Sequence, residues 1–592
     1  MRRVVVVGHG MVGSRFADEL LRRSPGTHLT VLGSEAYEPY NRVLLSEVVA
    51  GAVDVASLTL PTAEVPTGRV LHSTTVAWVD RGRRVVVADD GEQHPYDVLV
   101  LATGARARIP DIRGLCTDGD TSWGSRTDRS SDADRSGGRE GCVSLPAGVH
   151  ALRTLDDARE IVAATVNARR AVVLGGGVLG LEVATGLARR GMGVTVVHAG
   201  RHLMDRQLDA DAAGAVAHGL RRVGVDQRVG AVTEEVLLRD GRVRGVLVRT
   251  DGGPTVEVLD ADLLVLTAGT IPETGLADRA GLAVRHGIVV GTDCATSDPD
   301  VFAIGDCAEP PEGGSGLIAQ GWDQARRLAL HLSAELDPST ELNLSTELDP
   351  STELNLSAEP DPMAPMTSEA LEGERTAAPG ASPASGAPVR ARAADLTTDV
   401  VRLKAHGLDV VAMGLSGGSA LTRPPGTRAV RLSDPSAGRH VEVLVCDGVV
   451  VGATAVGAGK VGADLVTAYT RRTPTPVDPA QLLLTAVAGS ATGEAGAEPS
   501  PTLMPDRATV CRCNGVTKGD IVACWRHGAR TVGDVTRTTR ATTGCGGCTD
   551  AVCGLVEWLQ RSDPQPQDRR SDDGTEDAQP LRTAMETVAS RM

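Results

Sequence analysis

The sequence predicts an α/β chain of several domains, and three observations predict it. Its 592 residues exceed what one core serves, at roughly 150 residues per domain. Two glycine-rich turns, 8–13 and 175–180, each stand between a short apolar run and a segment of helical periodicity. Apolar runs such as Val4–Val7, Leu29–Leu32 and Val98–Leu101 end in glycine or polar turns, as strands buried on both faces do.

Composition narrows the function. The net charge of −16 argues against a nucleic-acid partner held by a general basic field. Aromatic residues make up 2% of the chain and do not cluster, so a stacking platform for single strands is not expected either. Only 3 of the 60 basic residues are Lys, a skew that reads as coding bias, so arginine-rich spots carry little weight. Eleven cysteines are too sparse for a disulfide scaffold. Arg2 and Arg3 precede only four apolar residues, too few for a secretory or twin-arginine signal. No stretch reaches the roughly 18 apolar residues of a membrane helix. The expectation is a cytoplasmic chain with no membrane association.

The chain divides by composition. Residues 1–115 read as a first dinucleotide-binding unit, interrupted at 116–146 by a Ser-, Gly-, Asp- and Arg-rich stretch that reads as a disordered insertion. The first unit is expected to continue over 147–170, give way to a second over 171–270, and return over 271–332. A period of 12 then appears, SAELDPSTELNL followed by STELDPSTELNL, and opens an acidic linker over 333–394. Two repeats are too few for a solenoid. Residues 395–485 read as a small α+β unit, with Asp447-Gly448 as the turn of a hairpin. A linker over 486–508 leads to a compact cysteine-bearing module at 509–560 and a polar tail at 561–592.

The first turn is Gly8-His9-Gly10-Met11-Val12-Gly13, the G-x-G-x-x-G pattern between strand and helix. Gly8 makes the tight turn, Gly10 lets the backbone approach a pyrophosphate, and Gly13 lets the helix pack on the strand. Met11 opens the helix whose N-terminus faces the phosphates. An acid should follow about 20 residues on for the ribose, and Glu35 stands there.

The second turn, Gly175-Gly176-Gly177-Val178-Leu179-Gly180, repeats the pattern, with Gly175, Gly177 and Gly180 in the same roles. Its second strand ends in His198-Ala199-Gly200-Arg201-His202, with no carboxylate for a ribose. Arg201 suits a 2′-phosphate, and His198 and Arg201 read equally well as solvated loop residues. The choice between NADH and NADPH therefore stays open.

The cysteine module holds Cys511-Arg512-Cys513 and, after 31 intervening residues, Cys545-Gly546-Gly547-Cys548. Four thiolates at this spacing suit a [2Fe–2S] cluster, a structural zinc ion, or, at Cys545 and Cys548 alone, a catalytic dithiol. Cys524 and Cys553 fall on apolar helical stretches and read as buried packing residues. Cys116, Cys142, Cys294, Cys307 and Cys446 have no metal spacing.

With these motifs in view, the chain resembles the two-dinucleotide-fold flavoprotein reductases. Ala102-Thr103-Gly104 looks like that family's ATG strand, Gly305-Asp306 like its GD motif, and the 267–272 segment around Gly269 like the turn before it. Ala107 departs from the family's ATG-x-x-P-R, while Arg108 is kept. Tyr40–Ser46 and Leu203–Asp209 narrow the resemblance to the N-terminal half of assimilatory NAD(P)H nitrite reductase large subunits and the electron-transfer subunit of assimilatory nitrate reductase. The module 509–560 resembles the BFD-like [2Fe–2S] domain.

The resemblance implies two Rossmann-like domains. FAD would lie against Gly8, Gly10, Met11, Gly13, Glu35, Arg42, Thr103, Gly104, Gly305 and Asp306. NADH or NADPH would lie against Gly175, Gly177, Gly180, Glu182, Arg201 and Gly269. A [2Fe–2S] cluster would be held by Cys511, Cys513, Cys545 and Cys548. No catalytic acid or base is required, since the cofactors carry the chemistry. Glu182 either positions the nicotinamide or flavin or is a first-turn acid on the helix dipole. The 35–60 stretch has no Cys, so a local disulfide is not the electron acceptor.

Only 39 residues and no cysteine follow Cys553, so a sirohaem–[4Fe–4S] domain is not expected on this chain. The implied function is electron delivery from NAD(P)H to a separate reductase, first a molybdenum nitrate reductase, next a sirohaem nitrite reductase. A ferredoxin- or rubredoxin-type reductase and a redox-sensing iron–sulfur protein are the alternatives. The oligomeric state stays open, a homodimer among the options.

Overall fold

A computed structural model describes residues 2–62, 65–115, 145–250, 256–336, 400–417, 423–483, 504–511, 514–543 and 547–562. Most of the expected insertion, the repeat linker beyond 336, most of the second linker and the tail beyond 562 lie outside the described residues. The chain divides into two compact units, 1–498 with 543–546, and 499–542 with 547–592.

The first sheet of the larger unit has five parallel strands in the order Val301–Ala303, Val98–Leu101, Arg3–Val7, His28–Leu32, Gly68–Leu71. Val4, Val6, Leu29 and Val100 pack against Phe16 and Leu20 of the helix Met11–Arg23 and Leu328 of the helix Ile318–Leu336. Val5, Val7, Leu99 and Leu101 pack on the opposite face with Tyr96 and Ile288. Burial on both faces explains why these strands are continuous apolar runs.

The second sheet repeats the design in the order Val225–Val229, Gly193–His198, Arg170–Leu174, Leu263–Leu266, Val149–Ala151. The expected continuation of the first unit over 147–170 is corrected here. Val149–Ala151 is the edge strand of the second sheet, and Leu155, Ala158 and Ile161 of the following helix share a core with Val173 and Leu181. An antiparallel ribbon of Ala105–Ala107 against Thr270–Pro272 marks the true crossing between the two halves.

The helix Ile318–Leu336 also runs four residues into the expected linker, because Leu328, Ala329 and Leu332 bury one side of it in the first core. Beyond the acidic repeats, a five-stranded antiparallel sheet is backed by the helix Gly459–Arg471. Its hairpin turns on Asp447 and Gly448, with φ of 50° and 72°, the left-handed pair a two-residue turn requires. Leu403, Val410, Ala412 and Val456 of this sheet enter the core of the second dinucleotide half.

Among its described residues the smaller unit has a short ribbon, Thr509–Cys511 against Val516–Thr517, and three helices, Lys518–Arg526, Val532–Thr539 and Thr549–Ser562. Thr517 with Asp520 and Thr531 with Asp534 close capping boxes on the first two. Cys524 is buried in its core, whereas Cys553 is half-buried rather than buried. Among the described residues no helix is long and apolar enough to cross a membrane.

Candidate functional site

The two glycine turns are built alike. Gly8 and Gly175 have φ of +111° and +122°, and a side chain on either would collide with a carbonyl oxygen, of Ala102 or Thr267. A side chain on Gly13 would strike the Gly8 carbonyl oxygen, and one on Gly180 that of Gly175. These four glycines answer to the protein's own packing. Gly10 and Gly177 differ: a Cβ on Gly10 would meet only Arg42 Nε at 4.0 Å, and one on Gly177 would meet nothing within 4 Å. Each of the two is the N-cap of its helix and makes no side-chain cap. The helices Leu155–Ala164 and Ala210–Arg222 are by contrast capped by Thr154 and Asp209. Open space in front of uncapped N–H groups fits a phosphate at both turns.

Around the first turn, Glu35 and Arg42 form an ion pair, and Tyr40 Oη donates to Glu35 at 2.7 Å. The Arg42 guanidinium lies 4.7 Å over the Tyr40 ring. Its Nη1 donates to the Arg153 carbonyl, while Arg153 itself donates to the Asp306 carboxylate at 2.7 Å and to the Ala105 carbonyl at 2.8 Å. Glu35, Arg42 and Asp306 therefore meet through Arg153, which sequence reasoning missed. No spacing signal marks Arg153, which stands just before a helix N-cap, 111 residues from Arg42.

Thr103 Oγ1 donates to the Glu273 carbonyl at 2.7 Å, and the Glu273 N–H donates to the Gly104 carbonyl at 2.9 Å. These bonds tie the ATG turn to the returning ribbon. Gly104, Gly269 and Gly305 have φ of +73°, +100° and +79°, a left-handed backbone that favours glycine. The Gly305 N–H donates to Gln324, a buried side chain of the helix Ile318–Leu336, at 2.7 Å.

At the second turn, His198 is not a solvated loop residue. It is mostly buried, and its Nδ1 accepts the Gly176 N–H at 3.2 Å. Burial pushes the imidazole below its ordinary range, against the nearby Asp205 carboxylate, so the neutral acceptor form is favoured. Arg201 is exposed.

Glu182 lies beyond the first turn of its helix, which starts at Val178, so the dipole reading is corrected. Its buried carboxylate accepts from Ser46 Oγ at 2.6 Å, the Lys404 N–H at 3.0 Å and Lys404 Nζ at 2.8 Å. It thereby joins the first half, the second half and the antiparallel domain.

In the smaller unit, Cys511 and Cys548 come together in the core; Cys513 and Cys545 lie outside the described residues. A hydrogen bond with Cys548 brings the Cys511 thiol down to about 6, against burial, which raises it. Asn514 Nδ2 adds a donor at 3.6 Å from the Cys511 sulfur. Two converging sulfurs in a thiolate-favouring setting fit a metal or cluster.

Two phosphate-ready turns on two parallel sheets, with a cysteine module beyond them, define a two-nucleotide oxidoreductase. Residues 2–327 match the model of the pyridine nucleotide-disulphide oxidoreductases, and the chain belongs to that family. Residues 509–558 match the BFD-like [2Fe-2S] binding domain. The cofactors are accordingly FAD, NAD(P)H and a [2Fe–2S] cluster.

The nitrite reductase [NAD(P)H] large subunit of Klebsiella oxytoca is 30% identical over 94% of this chain and 49% of its own length. The assimilatory nitrate reductase electron transfer subunit of Bacillus subtilis (strain 168) is 27% identical over 95% of this chain and 60% of its own length. The chain thus spans about half to three fifths of these relatives. Rubredoxin-NAD(+) reductase of Pseudomonas putida is 32% identical over 52% of this chain and 71% of its own length. Putidaredoxin reductase, solved as a covalent complex with putidaredoxin, shares the fold at a TM-score of 0.58 and 23% identity, over 83% of this chain and 99% of that one.

Proposed function

We propose that this chain oxidises NADH or NADPH and delivers the electrons through its cysteine module to a separate reductase. The observation that carries the reading is the joining, in one chain, of two open glycine turns with a thiolate-favouring cysteine pair. When bound, a flavin takes a hydride and releases single electrons, which an iron–sulfur cluster carries one at a time. The chain's own residues bind and orient. Gly10 and Gly177 receive the two pyrophosphates, and Glu35, held by Arg42 and Tyr40, takes the flavin's ribose. Thr103, Gly104, Gly305 and Asp306 line the flavin's length, and Gly269 and Arg201 border the nicotinamide coenzyme. Cys511, Cys513, Cys545 and Cys548 hold the cluster.

Among the described cysteines of the larger unit, Cys294 and Cys307 are single buried thiols that burial pushes up, so neither serves as a redox partner. An assimilatory nitrate reductase is the acceptor that the Bacillus subtilis relative supports. A nitrite reductase subunit is the second reading, supported by the Klebsiella oxytoca relative. A cytoplasmic setting, where thiolate ligands persist, accords with both.

Anaerobic stopped-flow mixing with NADH or NADPH tests the relay. The flavin absorbance should bleach first and the cluster should be reduced afterwards. Bleaching with no cluster reduction overturns the reading. Isolation of the native protein with a molybdenum- or sirohaem-bearing partner then decides the acceptor.

A further inference from the structure

We infer that His9, Glu38 and His72 form a binding site for one divalent transition-metal ion of the zinc class. The dinucleotide turns need only the backbone at position 9, and the cysteine module uses none of the three residues.

The fold delivers the three ligands side by side. Arg3–Val7, His28–Leu32 and Gly68–Leu71 are adjacent parallel strands, and His9, Glu38 and His72 follow their carboxyl ends. One donor atom from each residue lies within 4.8 Å of the other two. His72 Nε2 stands 3.4 Å from Glu38 Oε1. Two ligands at about 2 Å from a tetrahedral ion stand about 3.3 Å apart, so that pair already has the spacing. The two imidazole centroids lie 5.3 Å apart at 53°. Two imidazoles sharing such an ion would lie about 5 Å apart.

The local chemistry agrees. His9 Nδ1 is buried with no hydrogen-bond partner, a cost that an ion bound through it would relieve. Gly33 makes room for His9, since a side chain at 33 would approach its Cβ to 2.8 Å. The three residues open on a cavity of about 310 Å³ that Asp18 and Arg69 also line. Two imidazoles and one carboxylate, with space for a water, make a three-ligand open site.

The test uses the full chain carrying flavin and cluster, passed through metal-free buffer and titrated with zinc chloride by calorimetry. Zinc-edge X-ray absorption then reads the ligands. The expected result is one zinc per chain in a nitrogen and oxygen shell with two imidazoles. His72→Ala should abolish this uptake, and Glu38→Gln should weaken it about tenfold. Glu38 has a side chain 57% exposed, so its replacement leaves the fold intact and keeps the test decisive if His72→Ala fails to fold. No uptake, uptake with sulfur ligands, or equal uptake by wild type and Glu38→Gln overturns the inference.

Discussion

Lys404 holds Glu182 twice, through its backbone N–H at 3.0 Å and through its ammonium at 2.8 Å. The two residues are 222 positions apart, on the antiparallel domain and on the helix of the second glycine turn. The carboxylate side chain is 2% exposed and the lysine 20%, so water screens the pair little.

Removing the lysine charge leaves a buried carboxylate with two neutral donors. Lys404→Met should lower stability by about 2–4 kcal/mol, seen as an earlier thermal transition of the larger unit. Adding Glu182→Gln should recover part of the loss, since the stranded charge is gone. A double variant no more stable than the single shows that the pair is not what the lysine supports.

The glycines should separate by what faces them. Gly13→Ala and Gly180→Ala drive a methyl into a carbonyl oxygen, so soluble yield and thermal stability should collapse. Gly10→Ala and Gly177→Ala meet open space and should fold normally. The first should lose bound flavin, and the second should raise KM for NAD(P)H about tenfold or more. Flavin content and steady-state kinetics check both halves of the claim.

Arg153 ties the Asp306 carboxylate to the Ala105 carbonyl. Arg153→Leu removes two charge-assisted hydrogen bonds of about 1.5–3 kcal/mol each where the flavin is expected. The purified variant should carry less FAD and lose it faster on dilution. Arg153→Lys should restore little, because an ammonium lacks the planar fork that reaches both acceptors. Full FAD occupancy in Arg153→Leu would remove Arg153 from the flavin site.

His198 sets a pH dependence. Its folded value lies below the ordinary 6.5, so the unfolded chain takes up this proton first as pH falls. The stability it lends is complete above 6.5 and is lost as pH drops below that value. Protonation of Nδ1 also removes the acceptor for the Gly176 N–H. KM for NAD(P)H should therefore rise in the wild type only as pH falls through this lowered folded value, below 6.5. His198→Gln should flatten both the KM profile and the acid side of the thermal-stability curve. An unchanged profile in the variant rules His198 out as the cause.

Cys548 pairs with Cys511 within the core of the smaller unit. Cys548→Ser should yield protein with FAD at wild-type occupancy but without iron or acid-labile sulfide. Metal analysis beside flavin absorbance checks this. Retained iron would assign the ligands elsewhere.

Legibility followed sequence separation. Gly8, Gly10 and Gly13, and again Gly175, Gly177 and Gly180, could be read directly, because a turn and the helix after it are local. The Asp447-Gly448 hairpin was legible for the same reason. The edge strand Val149–Ala151 was misplaced because its partner, Leu263–Leu266, lies more than a hundred residues on. Arg153 and Lys404 carried no signal, since each acts on a residue far along the chain. His9 stood inside a motif that explained the position without its side chain.

By itself the sequence determined the α/β class, the two glycine turns and the cysteine spacing. All of these rest on backbone conformation and hydrophobic period within a few tens of residues. Only the tertiary structure decided that Gly10 and Gly177 face open space, that Arg153 joins Arg42 to Asp306, and that Lys404 reaches Glu182. It alone brought His9, Glu38 and His72 together beyond the carboxyl ends of three adjacent strands. Those relationships arise when elements far apart in the chain are laid side by side, a long-range choice that local periodicity does not encode.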